Sequence, residues 1–211
     1  MPRALAIALF FCVAEPRASA HSESITPEAD FRQFKDWAWF ALGAATGFVG
    51  HELGHLFTDA ILGKRVEFVP VSLGPFPFFA IQPCCNLTPQ EQFVTASAGF
   101  MVQYVNSELI LWIAPKIRSE RRAFLKGVLM LDIMLSVGYA ISSFLPEGVA
   151  PAQSDVGTMA RALGVPQWQV GLVILVPAIV DMYRYLVPNS QWAPWVSGSA
   201  KLFVLGASFT F

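Results

Sequence analysis

Five consecutive residues, His51-Glu52-Leu53-Gly54-His55, lie near the end of an apolar stretch that runs from Trp37 to Leu62. This placement restricts the chain more than any other feature. On an α-helix, residues four apart share a face, so both imidazoles can reach one metal ion while Glu52 lies beside it. Two histidines and a carboxylate at bilayer depth are costly to bury, and ionisable residues held there mark functional sites. The chain has three histidines in all, and the motif takes two of them.

The surrounding composition is that of a membrane protein. Of the 211 residues 55% are hydrophobic and 14% charged, with a mean hydropathy of +0.51. A soluble domain carries about 25% charged residues. The formal net charge of −1 gives no basis for a nucleic-acid partner. Residues 1–20 read as a signal peptide: Arg3 supplies the positive end, Ala4–Ala14 the apolar core, and Ala18-Ser19-Ala20 the small-residue cleavage site. The alternative is an uncleaved anchoring helix. Either places the protein in a membrane, a bacterial inner membrane or a secretory-pathway membrane. Cys12 falls in the signal, and the adjacent Cys84 and Cys85 form no C-x-x-C pattern, so they read as loop thiols. Asn86-Leu87-Thr88 matches a glycosylation sequon.

The chain divides into a polar segment 21–36, a membrane body 37–187 and a C-terminal tail 188–211. The fold expected is an all-α polytopic bundle with about four spans and a short re-entrant strand or loop. Trp37–Leu62 is the first span. It is long enough to cross a core of about 30 Å with tilt. Gly43, Gly47, Gly50 and Gly54 thin one side of it for close helix packing. Val66–Pro83 is apolar but broken by Pro70, Gly74, Pro75, Pro77 and Pro83. Val66, Phe68, Val69 and Val71 suit a short strand. Irregular backbone at membrane depth must be covered by protein or line a cavity, so the segment is either re-entrant beside the motif helix or a surface loop. Phe93–Ala114, Ala123–Leu145 and Gln167–Val187 are the remaining spans, with 146–153 a loop. Ser154 or Asp155 caps a short helix ending near Gly164. In the tail, Leu202–Phe211 is a short apolar run suited to an interface. Orientation stays open. A cleaved signal with a re-entrant 66–88 leaves Lys116, Arg118, Arg121, Arg122 and Lys126 outside, against the positive-inside rule.

The motif's chemistry is that of a zinc hydrolase. Such sites offer three protein ligands and keep a fourth position for water. The ion lowers the water's pKa and polarises a carbonyl, and Glu52 is placed to take the proton and pass it to a leaving amine. The third ligand must come from elsewhere, because Thr58 and Ile61 occupy the positions that an extended H-E-x-x-H-x-x-G-x-x-H motif would fill. His21 sits at the cleavage site. Asp59 is one turn past His55, where it can orient an imidazole indirectly or meet water at the helix end. Asp155 is a ligand or a helix cap. Asp132, mid-span, is a second ligand candidate or a protonated or hydrogen-bonded interior residue.

At three places the chain resembles the site-2 protease family of intramembrane zinc metalloproteases. The first is the His51–His55 motif in an apolar helix. Another, Ala98-Gly99-Phe100-Met101-Val102-Gln103, is similar to the family's Ala-Gly-Pro-x-x-Asn segment, with Phe100 for proline and Gln103 for asparagine. The last is Asp155 with Gly157, similar to an Asn-Pro-Asp-Gly motif in which Ser154 stands for proline and Val156 intervenes. The resemblance spans about residues 37–164. It implies His51, His55 and Asp155 as zinc ligands and Glu52 as the catalytic acid/base. It also implies a role for Gln103 in holding substrate or oxyanion, against the alternative of an interhelical hydrogen bond. The expected activity is endopeptidase cleavage of membrane proteins. A non-catalytic metal-binding or regulatory membrane protein is one rival. A small transporter using Gln103, Asn106, Glu108, Asp132 and Asp181 is the other.

Overall fold

The structure is a computed structural model that describes residues 34–73, 76–83, 87–145 and 154–210, the side chains of 71–83 and 207–210 excepted. The expected signal peptide, most of the polar segment, His21, Cys12, Cys84, Cys85, Asn86 and the 146–153 loop lie outside these residues.

Six α-helices and one hairpin follow in order: α1 (Phe34–Ile61), β1 (Val66–Leu73), β2 (Phe76–Pro83), α2 (Pro89–Ile113), α3 (Ala123–Ser142), α4 (Asp155–Leu163), α5 (Gln167–Leu186) and α6 (Ala193–Thr210). Local chemistry sets several of the boundaries. The Thr88 hydroxyl accepts from the Glu91 N–H, and the Glu91 carboxylate accepts from the Thr88 N–H, so a full capping box starts α2 with Pro89 in its first turn. Ser154 caps α4 by accepting from Gly157 N at 3.0 Å. Gly164 ends that helix with a φ of 66°, a left-handed geometry that glycine adopts without a Cβ penalty.

The glycines of α1 serve two neighbours rather than one side. Gly43 lies against the backbone of Phe124, and Gly127 lies against the backbone of Phe40, so α1 and α3 touch main chain to main chain. Gly47 meets α3 at Val128, Leu131 and Asp132. One turn on, the contacts pass to α2: Gly50 faces Val102 and Asn106, and Gly54 faces Ala98. The index of α2 falls as that of α1 rises, so the two helices are antiparallel. The end of α1 and the start of α2 therefore lie at the same end of the bundle.

That segment corrects the single-strand expectation. Residues 66–83 form an antiparallel two-stranded hairpin in the register Val66↔Pro83 through Leu73↔Phe76. β2 lies beside α1. The tail also differs from its expectation, because 193–210 is a full helix packed on α5 and α2.

Two apolar clusters fill the interior. Phe93, Phe100, Val156, Met159, Ile174 and Val204 join α2, α4, α5 and α6. Ile110, Leu111, Ile117, Leu129 and Ile133 join the far end of α2 to α3. A buried ionic network ties α2, α5 and α6. Lys201 donates to Asp181 at 2.5 Å, to Glu108 at 2.8 Å and to Ser107 at 2.8 Å. Arg184 donates to Glu108 at 2.6 Å and to Asp181 at 3.1 Å. Two helices, α3 and α5, are long and apolar enough to cross a membrane. α1 and α2 have the length, at 28 and 25 residues, but carry more polar side chains.

Candidate metal centre

His51 and His55 lie one turn apart on α1, and both are buried. Their Nε2 atoms are 3.2 Å apart. Asp155, the first residue of α4, brings Oδ2 to 3.1 Å from His51 Nε2 and 3.5 Å from His55 Nε2. Three potential ligand atoms thus converge from two helices that are 104 residues apart in sequence at the His51–Asp155 contact.

The donor set fits a small tetrahedral ion. Ligands at about 2.1 Å from one ion in tetrahedral array stand about 3.4 Å from one another, and the three observed separations bracket that edge. The tautomer of His55 agrees. Its Nδ1–H donates to the Thr95 carbonyl at 2.8 Å, which leaves a lone pair on Nε2 aimed at the common centre. The Thr95 hydroxyl in turn donates to Asp59 Oδ1 at 3.0 Å, and Asp59 is fully buried. Asp59 therefore steadies the residue that orients His55 and does not sit in water at the helix end. Among the described residues His51 has no hydrogen-bond partner at Nδ1. Its ring is fixed by packing, edge-on to Phe100 at 5.6 Å and stacked on Tyr139 at 6.0 Å. Gly99 admits the ring, because a Cβ there would overlap the imidazole.

Ser154 takes the cap of α4 and releases Asp155 to face the histidines, so the cap-or-ligand alternative resolves into both residues working at one helix start. Burial opposes the charge of Asp155, but His55 and then His51, in their protonated forms, outweigh it and hold the carboxyl well below the usual carboxylate range. The carboxylate is ready to coordinate. Its side chain is 18% exposed, against 1% and 6% for His51 and His55, so the aspartate forms the accessible corner of the centre. Glu52 is half-buried on the adjoining position of α1, and its charge acts on both His55 and Tyr139.

Two other candidates stand elsewhere. Asp132 lies in a separate cavity with Gln103, Tyr104, Ser107, Ser136 and Asp181. Gln103 accepts from the Ser136 hydroxyl at 3.4 Å across the α2–α3 contact, which is the interhelical bond weighed against a role on substrate. Antiparallel packing explains the offset. Gly54 is level with Ala98 and Gly50 with Val102, so Gln103 falls about a turn short of the histidines. The residue that sequence reading missed is Tyr139 of α3, whose ring stacks on His51. A tyrosine in an apolar span has no local pattern that marks it.

No protein-family model, curated protein or solved structure matches the chain.

Proposed function

We propose that the chain is a zinc-dependent intramembrane endopeptidase in which α1, α2, α3 and α5 span the bilayer. The observation that carries the reading is the convergence of His51, His55 and Asp155 one position from a half-buried glutamate. Exposed apolar side chains on these four helices support the membrane assignment, among them Val49 on α1, Trp112 on α2, Met134 on α3 and Ile179 on α5. A bacterial inner membrane or a secretory-pathway membrane is the compartment in keeping with the N-terminal sequence.

His51, His55 and Asp155 would hold the ion, with zinc favoured by the mixed nitrogen and oxygen donors and the tetrahedral spacing. Zinc supplies there an acidified water and the polarisation of a carbonyl. Glu52 accepts the water's proton on its carboxylate and returns it to the leaving amine. Tyr139 and Phe100 hold the His51 ring in place by packing. Thr95 and Asp59 keep the His55 lone pair turned inward. The hairpin beside α1 gives an extended segment of substrate something to pair with, since β1 and β2 pair only with each other among the described residues. The transporter reading loses two of its residues, because Glu108 and Asp181 are neutralised by Arg184 and Lys201.

The test is Glu52→Gln in purified full-length protein. Zinc content should stay at about one ion per chain, while cleavage of labelled casein or of a transmembrane peptide falls by about 10²–10⁴-fold. A zinc-loaded wild type that cleaves neither, or a Glu52→Gln variant as active as wild type, would show a metal-binding protein without this chemistry.

A further inference from the structure

The cavity between α2, α3 and α5 holds polar atoms that nothing in the proposed catalytic centre uses. Asp132 is 2% exposed and Gln103 1%. Among the described residues neither Asp132 oxygen has a hydrogen-bond partner, and the same is true of Gln103 Nε2 and the Tyr104 hydroxyl. All three residues line one cavity of about 10 Å³, about the space one water-sized particle needs. Leaving a buried carboxylate wholly without partners is expensive.

The neighbouring cations are already committed. Lys201 has three N–H donors, and they go to Asp181, Glu108 and Ser107. Arg184 serves Glu108 and Asp181. Glu108 and Asp181 are matched by Lys201 and Arg184, and Asp132 lines the cavity beside Asp181, so the group carries one negative charge in excess whenever Asp132 is ionised. A half turn of the Gln103 amide exchanges its oxygen and nitrogen. It lets the nitrogen donate to Ser136 and sends the oxygen into the cavity, which makes every unpartnered atom there an oxygen. Oxygen-only donor sets select hard cations, and a divalent ion would overshoot the missing charge.

We propose that this cavity binds one monovalent cation of sodium size, ligated by Asp132, Gln103 and Tyr104. The site is separate from the His51–His55–Asp155 centre and stands whether or not that centre cleaves peptides. Its role is to close the charge balance of the helix bundle, so that sodium binding and bundle stability are linked.

The experiment is thermal melting of the purified full chain in detergent, with sodium chloride titrated against choline chloride at constant ionic strength. The midpoint should rise with sodium and saturate, as for any ligand that binds only the folded state. Asp132→Asn should melt at a midpoint independent of sodium. Tyr104→Phe should fold and need about tenfold more sodium for the same shift, the size of one lost polar ligand. Equal midpoints for wild type in the two salts would overturn the site, as would a sodium response that persists in Asp132→Asn. If Asp132→Asn does not fold, Tyr104→Phe decides: a displaced titration supports the site, and one that superimposes on wild type overturns it.

Discussion

Asp59 touches neither the common centre nor, by proposal, the substrate, yet the geometry of His55 passes through it. Its carboxylate holds the Thr95 hydroxyl, and the Thr95 carbonyl holds the His55 ring. Outer partners of this kind typically change metal affinity by about 10–100-fold when removed. Asp59→Ala should therefore weaken zinc binding by that factor, read by competition with a chelator, while zinc-saturated protein keeps its helical content. Unchanged affinity would mean that packing alone orients the ring. At this scale much of the site was legible. The i, i+4 spacing put the two candidate ligands on one face with Glu52 beside them, because a helix converts sequence spacing into a shared face. Asp155 was legible only as one of two carboxylates, since the fold decides which loop or span meets the histidines. The position of Gln103 about a turn from the histidines was not legible, because the level of one helix against another follows from where glycines allow contact, and a linear motif does not record it. Tyr139 gave no signal at all.

At the scale of elements, α1 owes its position to glycines that admit a partner's backbone. Gly127 lies on the Phe40 carbonyl, and an added Cβ would meet main chain that has no side-chain rotamer to yield. Gly127→Ala should destabilise the protein by about 1–3 kcal/mol, the usual cost of overpacking. Gly138, on the same helix, has nothing within 4 Å of an added Cβ. Gly138→Ala should be neutral or stabilise by up to about 1 kcal/mol through helix propensity. Melting of the pair in one detergent checks both, and equal effects would mean that the α1–α3 contact is looser than drawn. The long helices were legible to within a few residues, because long apolar runs bounded by proline leave few alternatives. The hairpin was half legible: β-branched and aromatic residues indicated a strand, but its partner lies beyond Gly74-Pro75 in a segment whose prolines argue against regular structure. α6 was missed for a different reason. Ser197, Gly198 and Ser199 look like loop chemistry, and only the bonds from Ser197 and Lys201 to Asp181 and Glu108 show why a helix forms there.

On the scale of the whole molecule, the bundle has two polar interiors with different duties. One is the candidate metal centre, where His51 and His55 of α1 meet Asp155 of α4. The other is the ionic clamp in which Glu108, Asp181, Arg184 and Lys201 bind α2, α5 and α6 together. A buried ion pair adds little over an apolar pair of the same shape, but removing one partner strands the other at a cost of about 3–5 kcal/mol. Lys201 is 3% exposed and Asp181 2%, so Lys201→Met should destabilise the fold by about that amount. Adding Asp181→Asn should recover most of the loss, because the stranded carboxylate is then neutral. The single and double variants, compared by denaturant unfolding in one detergent, test the clamp. Zinc content tests the division of labour. His51, His55 and Asp155 draw on α1 and α4 and on no residue of α6, so folded Lys201→Met protein should still bind about one zinc per chain. A variant that loses zinc along with stability would show that the clamp and the metal centre form one cooperative unit, and that α6 governs the triad from a distance.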